Sequence, residues 1–108
     1  MKFPTEVFGD VVVVHTPEEL GEENARRLEA FLTTLDRQNV IIDLDGTETV
    51  DSCGLEALLT AQEMLRGLSG DLKVSATNVV NRKILEITRL DQQLEVFDSV
   101  LDAVKSFA

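Results

Sequence analysis

Residues 51–54, Asp51-Ser52-Cys53-Gly54, set an acid, a hydroxyl, a thiol and a glycine side by side at the end of a polar turn that leads from an apolar run into a helical one. Each has an ordinary reading and a functional one. The Ser52 hydroxyl caps the helix that follows by accepting an amide of its first turn, or it receives a phosphoryl group. Free amides and the positive end of a helix dipole favour an anion there. A phosphoryl group would add about −1.5 to −2 charge units and three strong acceptors. Asp51 shares the capping or presents a carboxylate beside Ser52. Cys53, near the helix dipole, is a candidate thiolate or a small buried apolar residue. Gly54 lets another molecule approach the turn, or lets the helix pack closely.

Little else in the chain offers a catalytic constellation. The single histidine, His15, ends an apolar run and has no visible partner for acid–base work. One His and one Cys fall short of the about four ligands of a zinc site. The acidic residues lack EF-hand spacing, and no glycine-rich phosphate loop occurs. The expectation is a chain that is not an enzyme, with no metal and no cofactor.

The 108 residues suit one domain, expected to span 1–108, and 44% are hydrophobic, enough for a core without Trp or Tyr. Net charge is −10, from 20 acidic and 10 basic side chains. Such a field disfavours nucleic acid and anionic membrane surfaces and directs the chain toward a basic partner, unless it serves solubility alone. One Cys excludes an internal disulfide. The segment MKFPTEVFGD lacks the apolar region of a signal peptide, and no apolar run approaches the roughly 20 residues of a membrane helix. The reading is cytoplasmic, without membrane insertion.

The elements that must position the 51–54 box follow from periodicity. Residues 2–8 suit a short edge strand limited by Pro4, and Gly9-Asp10 a hairpin turn. The β-branched run 11–15 and the run 39–44 suit strands covered on both faces. Between them lie a loop over 16–24, with Asn24 as a cap, and a helix over 25–37 whose stripe is Ala25, Leu28, Leu32 and Leu35. From Gly54 to about Gly67, Leu55, Leu58, Leu59 and Leu65 give a second helix. Residues 71–76 predict a strand and 78–90 a third helix with Val80, Ile84 and Ile87 on one stripe. A short strand over 94–97 precedes a last helix over 99–107, capped by Asp98 or Ser99. The order β-β-α-β-α-β-α-β-α predicts an α/β fold: a mixed, mostly parallel sheet, an N-terminal hairpin and about four helices.

The run VIIDLDGTETVDSCGLEALL resembles the core motif of the STAS domain, the sulfate transporter and anti-sigma factor antagonist family: an apolar strand ending in Asp-Leu, a polar turn, an Asp-Ser-small-Gly-Leu box and a helix. The ending ATNVVNRKILEITRLDQQLEVFDSVLDAV is similar to the family's helix, turn, short strand and last helix. The resemblance implies an anti-sigma factor antagonist, monomeric or weakly dimeric, that regulates transcription indirectly. Ser52 matches the serine that, in such antagonists, is phosphorylated by a partner that is both serine kinase and anti-sigma factor. The dephosphorylated form binds that partner and frees a sigma factor, and a phosphatase resets the cycle. Asp51, Ser52, Cys53 and Gly54 would form the docking turn, with Gly21 and Glu22 beside it. Gly21 stands where the family carries an Asp close to the serine, and Glu56 stands where small residues are common. These departures leave open an alternative: an unphosphorylated STAS scaffold subunit of a regulatory or transporter assembly.

Overall fold

The computed structural model describes residues 3–108. Along the chain run β1 (Thr5–Phe8), β2 (Val11–His15), β3 (Glu19–Leu20), α1 (Glu22–Thr33), β4 (Asn39–Asp43), β5 (Thr49–Val50), α2 (Ser52–Gly67), β6 (Asp71–Ser75), α3 (Val79–Ile87), β7 (Val96–Phe97) and α4 (Val100–Lys105), with a 3-10 turn over Leu90–Gln92 before β7. The main sheet has the order β1-β2-β4-β6-β7. β1 runs antiparallel to β2, and β2, β4, β6 and β7 are parallel. This is the expected α/β fold with an N-terminal hairpin, a mostly parallel sheet and four helices. The first strand covers less than 2–8, and Lys2 lies outside the described residues. Gly9, at φ 61, supplies the left-handed conformation that the tight hairpin turn requires.

Alternation splits the central strands between two layers. Val12, Val14, Val40, Ile42, Leu72 and Val74 join Leu28 and Leu32 of α1 and Leu58 and Leu65 of α2 in the larger core. Val11, Val13 and Ile41 face the other way, against Ala103, Val100 and Val104 of α4. Coverage on both faces is why these strands read as unbroken apolar runs. α4 is short and is pinned from beneath. The buried Lys73 ammonium donates to the Ser106 hydroxyl at 2.9 Å and lies 4.2 Å from the centre of the Phe107 ring. Ser99 caps α4, accepting from the Asp102 amide.

Three expectations fail. α1 begins at Glu22 rather than Ala25 and ends before Leu35, and its N-cap is Gly21, not Asn24. Asn24 occupies the third helical position, where its side-chain oxygen reaches back to the Gly21 amide at 2.9 Å. Second, the loop over 16–24 holds the short strand β3, which pairs in parallel with β5 in a small ladder apart from the main sheet. Third, α3 is shorter than 78–90 and turned the other way. Val79 and Ile87 are 78% and 71% exposed, Val80 is exposed too, and the buried residues are Leu85 and Asn81, the latter 1% exposed. Asn81 faces inward because its amide donates to the Leu44 and Thr47 carbonyls at 3.1 and 2.8 Å, and a buried carbonyl left without a donor is costly.

Candidate functional site

The box sits where α2 leaves the small ladder. β3 pairs with β5 in the register Glu19↔Thr49 and Leu20↔Val50, and the Asp51 amide donates to the Leu20 carbonyl at 3.1 Å. The approach loop is tied down as well. The Thr47 hydroxyl donates to the Pro17 carbonyl at 2.6 Å, and Asn81 holds the loop from α3. The chain therefore enters α2 from a fixed direction.

Asp51, not Ser52, is the N-cap of α2. Its backbone is extended (φ −97, ψ −178), and its Oδ1 accepts from the Gly54 amide at 3.0 Å. Its Oδ2 accepts from the Glu22 amide, the first of α1, at 3.2 Å. One carboxylate thus closes the N-termini of both helices, using the amides and partial positive charge that helix starts offer. The Gly54 amide holds this carboxyl below its ordinary range; desolvation acts the other way, and the Glu22 and Cys53 amides add to the lowering.

Ser52 follows as the first residue of α2, exposed to solvent. Among the described residues its hydroxyl has no hydrogen-bond partner. The capping role expected for Ser52 therefore belongs to its neighbour. The reason is geometric: the cap needs an extended backbone at Asp51, and Ser52 has already turned helical.

The two glycines have separate structural tasks. A Cβ at Gly54 would collide with the Leu20 carbonyl oxygen, so the first turn of α2 packs directly on the β3 backbone. Close helix packing accounts for Gly54 on its own. A Cβ at Gly21 would lie 2.5 Å from Asp51 Oδ2, so the residue where the family carries an Asp is here the space the Asp51 carboxylate fills.

Cys53 is half-buried, beside Glu22, Arg26, Glu29 and Glu56 in a shallow concavity of about 270 Å³. Burial, then the carboxylates of Asp51, Glu22 and Glu56, push its thiol above the ordinary value. The thiolate suggested by its place near a helix dipole is not favoured, because burial and then the local carboxylates outweigh a dipole whose end Asp51 already occupies. A second open concavity, of about 350 Å³, is lined by Glu19, Gly21, Glu22, Glu23, Thr49 and Asp51. All six sequence-proposed residues (Gly21, Glu22, Asp51, Ser52, Cys53 and Gly54) therefore meet at one corner of the molecule, which is acidic. The contact between Gly21 and Asp51, 30 positions apart, had no local signal in the sequence.

The chain belongs to the STAS domain family, whose model matches residues 2–103. It is 24% identical over 107 residues, 95% of each chain, to a Thermotoga neapolitana protein described as a candidate anti-sigma factor antagonist. The crystal structure of an anti-sigma factor antagonist from Mycobacterium paratuberculosis superposes with a TM-score of 0.84 at 25% identity, covering 97% of this chain and 92% of that one. The Bacillus cell fate determinant SpoIIAA in its phosphorylated form superposes with a TM-score of 0.73 at 18% identity, covering 98% and 99%. Among the described residues no group of three or more His, Cys, Asp or Glu is placed to hold a metal ion, and no helix is long and apolar enough to cross a membrane.

Proposed function

We propose that this chain is an anti-sigma factor antagonist of the cytoplasm. Its Asp51–Gly54 corner, with Gly21 and Glu22, docks on an anti-sigma factor with serine kinase activity, and phosphorylation of Ser52 breaks that contact. The observation that carries the reading is the state of Ser52: an exposed hydroxyl without a hydrogen bond, first in a helix whose start Asp51 holds rigid. Such a hydroxyl is open to a kinase, and modifying it disturbs no cap.

The switch works by charge. The corner already carries Asp51, Glu22 and Glu56, which act together on Cys53. A phosphoryl group adds about −1.5 to −2 units there. It gains little from the helix end, because Asp51 already takes the Gly54 amide. The added charge and bulk therefore act against the docked state, by desolvation and repulsion. Kinase and phosphatase chemistry belong to the partners, and this chain supplies the acceptor oxygen.

One observation favours a second reading, a constitutive scaffold within a regulatory or transporter assembly. The Asp51 carboxylate occupies both helix starts, and Gly21 brings no acid of its own to the serine. Incubation with the host's anti-sigma factor kinase and magnesium ATP separates the two. The switch predicts one phosphoryl group, mapped to Ser52 and absent from Ser52→Ala. Tight binding with no transfer would favour the scaffold.

A further inference from the structure

Away from the Ser52 corner, four polar side chains from four strands form a row on the α4 face of the sheet. His15 and Asp43 are register partners, as are Asp43 and Ser75. The His15 ring is held at both nitrogens: Nδ1 lies 2.8 Å from Asp43 Oδ2, and Nε2 lies 2.7 Å from Glu6 Oε1 on β1. The other oxygen of Asp43 accepts from the Asp45 amide at 3.0 Å and the Ser75 hydroxyl at 3.3 Å. Asp43 is buried, whereas Glu6 is exposed.

Proton counting fixes the charge of this ring. An ionised carboxylate only accepts, and a neutral imidazole has one N–H. Two carboxylates on one ring therefore require the imidazolium. We propose that the row is a proton-operated pin: the imidazolium of His15 fastens edge strand β1 to β4, and loss of its proton frees Glu6. When the ring becomes neutral, its remaining proton stays on Nδ1. Asp43 Oδ2 has no other hydrogen-bond donor among the described residues, and a buried acceptor suffers more from losing its donor than the solvated Glu6 does. Nε2 then turns a lone pair toward the Glu6 carboxylate, and Glu6 swings into water.

No other charge offsets this change. α4 covers the face with Val100, Ala103 and Val104, which are apolar. Lys73, two residues before Ser75 on β6, is engaged with Ser106, Phe107 and, at 3.6 Å, Glu95. The Asp45 carboxylate accepts from the Thr77 amide and hydroxyl. Burial opposes the charged ring, but the hydrogen bonds to Glu6 and Asp43 and the charges of both carboxylates prevail, so the ring titrates above its ordinary 6.5. A raised folded value means that the pin is fully set below pH 6.5 and is lost as pH rises through that raised value.

His15 is the only histidine, so the untagged chain gives one unambiguous imidazole signal. Nitrogen-15 NMR across a pH titration should show both ring nitrogens protonated at pH 6.5, a midpoint above 6.5 and a neutral form protonated on Nδ1. Over the same range, the protection factors of the Glu6 and Phe8 amides, the two of β1 that face β2, should fall on the order of tenfold, as for the loss of one hydrogen bond between charged groups. In Glu6→Gln that fall should vanish, because the amide donates to the bare Nε2 and accepts from the protonated one. A midpoint below 6.5, a neutral form protonated on Nε2, unchanged protection, or an equal fall in Glu6→Gln would each overturn the proposal.

Discussion

Gly21 and Asp51 touch so closely that a side chain at Gly21 would displace the Asp51 carboxylate. The Asp51 carboxylate lies 2.5 Å from where a Cβ on Gly21 would stand, and it spans from there to the Gly54 amide. The backbone at Gly21 is extended (φ −157), a conformation open to any residue, so crowding alone selects glycine. Gly21→Ala should push the carboxylate off the Glu22 amide and cost about 1 kcal/mol, the usual loss of a helix cap. Gly54→Ala should cost more, because its Cβ meets the Leu20 backbone, which cannot rotate away as a side chain can. Urea unfolding of both variants checks the order.

Ser52→Ala should leave stability within about 0.5 kcal/mol of the parent, as for a surface residue without a bond, while Asp51→Ala loses the double cap and should be clearly the more destabilising of the two. The Asp51 contribution has a defined pH sense. Its folded value lies below the ordinary 3.8, so the stabilisation is present above that value and lost as pH falls through the depressed one. Thermal melts of parent and Asp51→Asn between acid and neutral pH should converge at the acid end.

The thiol reports the acidity of the corner. Burial and then the neighbouring carboxylates hold Cys53 in its protonated form, so removing a carboxylate should activate it. Glu56→Gln should react faster with iodoacetamide at pH 8 than the parent. Equal rates would show that burial alone governs the thiol.

In α3 the usual cost of substitution should be inverted. Asn81→Leu leaves the buried Thr47 carbonyl without a donor, while the Leu44 carbonyl keeps the Thr47 amide, and should destabilise by about 1–3 kcal/mol. Val79→Ser and Ile87→Ser change exposed side chains and should stay within about 0.5 kcal/mol. Chemical denaturation of the three variants tests this.

That inversion shows where the sequence stops being legible. β2 and β4 are written in unbroken β-branched and aliphatic runs, and the Asp51–Gly54 box marks the candidate site. The spacing of Val80, Ile84 and Ile87 predicts a helix but not which side faces the core; two carbonyls on a distant loop decide that. The two-residue strands β3 and β5 are too short to carry a period, yet they aim Asp51. The partners of His15 lie 9 and 28 positions away, on strands whose register only the folded sheet sets.

The most direct test of the proposed switch is the dissociation constant for the host's anti-sigma factor, measured by calorimetry with unmodified chain and with chain phosphorylated at Ser52. The account predicts at least about tenfold weaker binding after phosphorylation, or about 1.4 kcal/mol. Equal dissociation constants would contradict it and leave the Asp51–Gly54 corner as a constitutive docking turn.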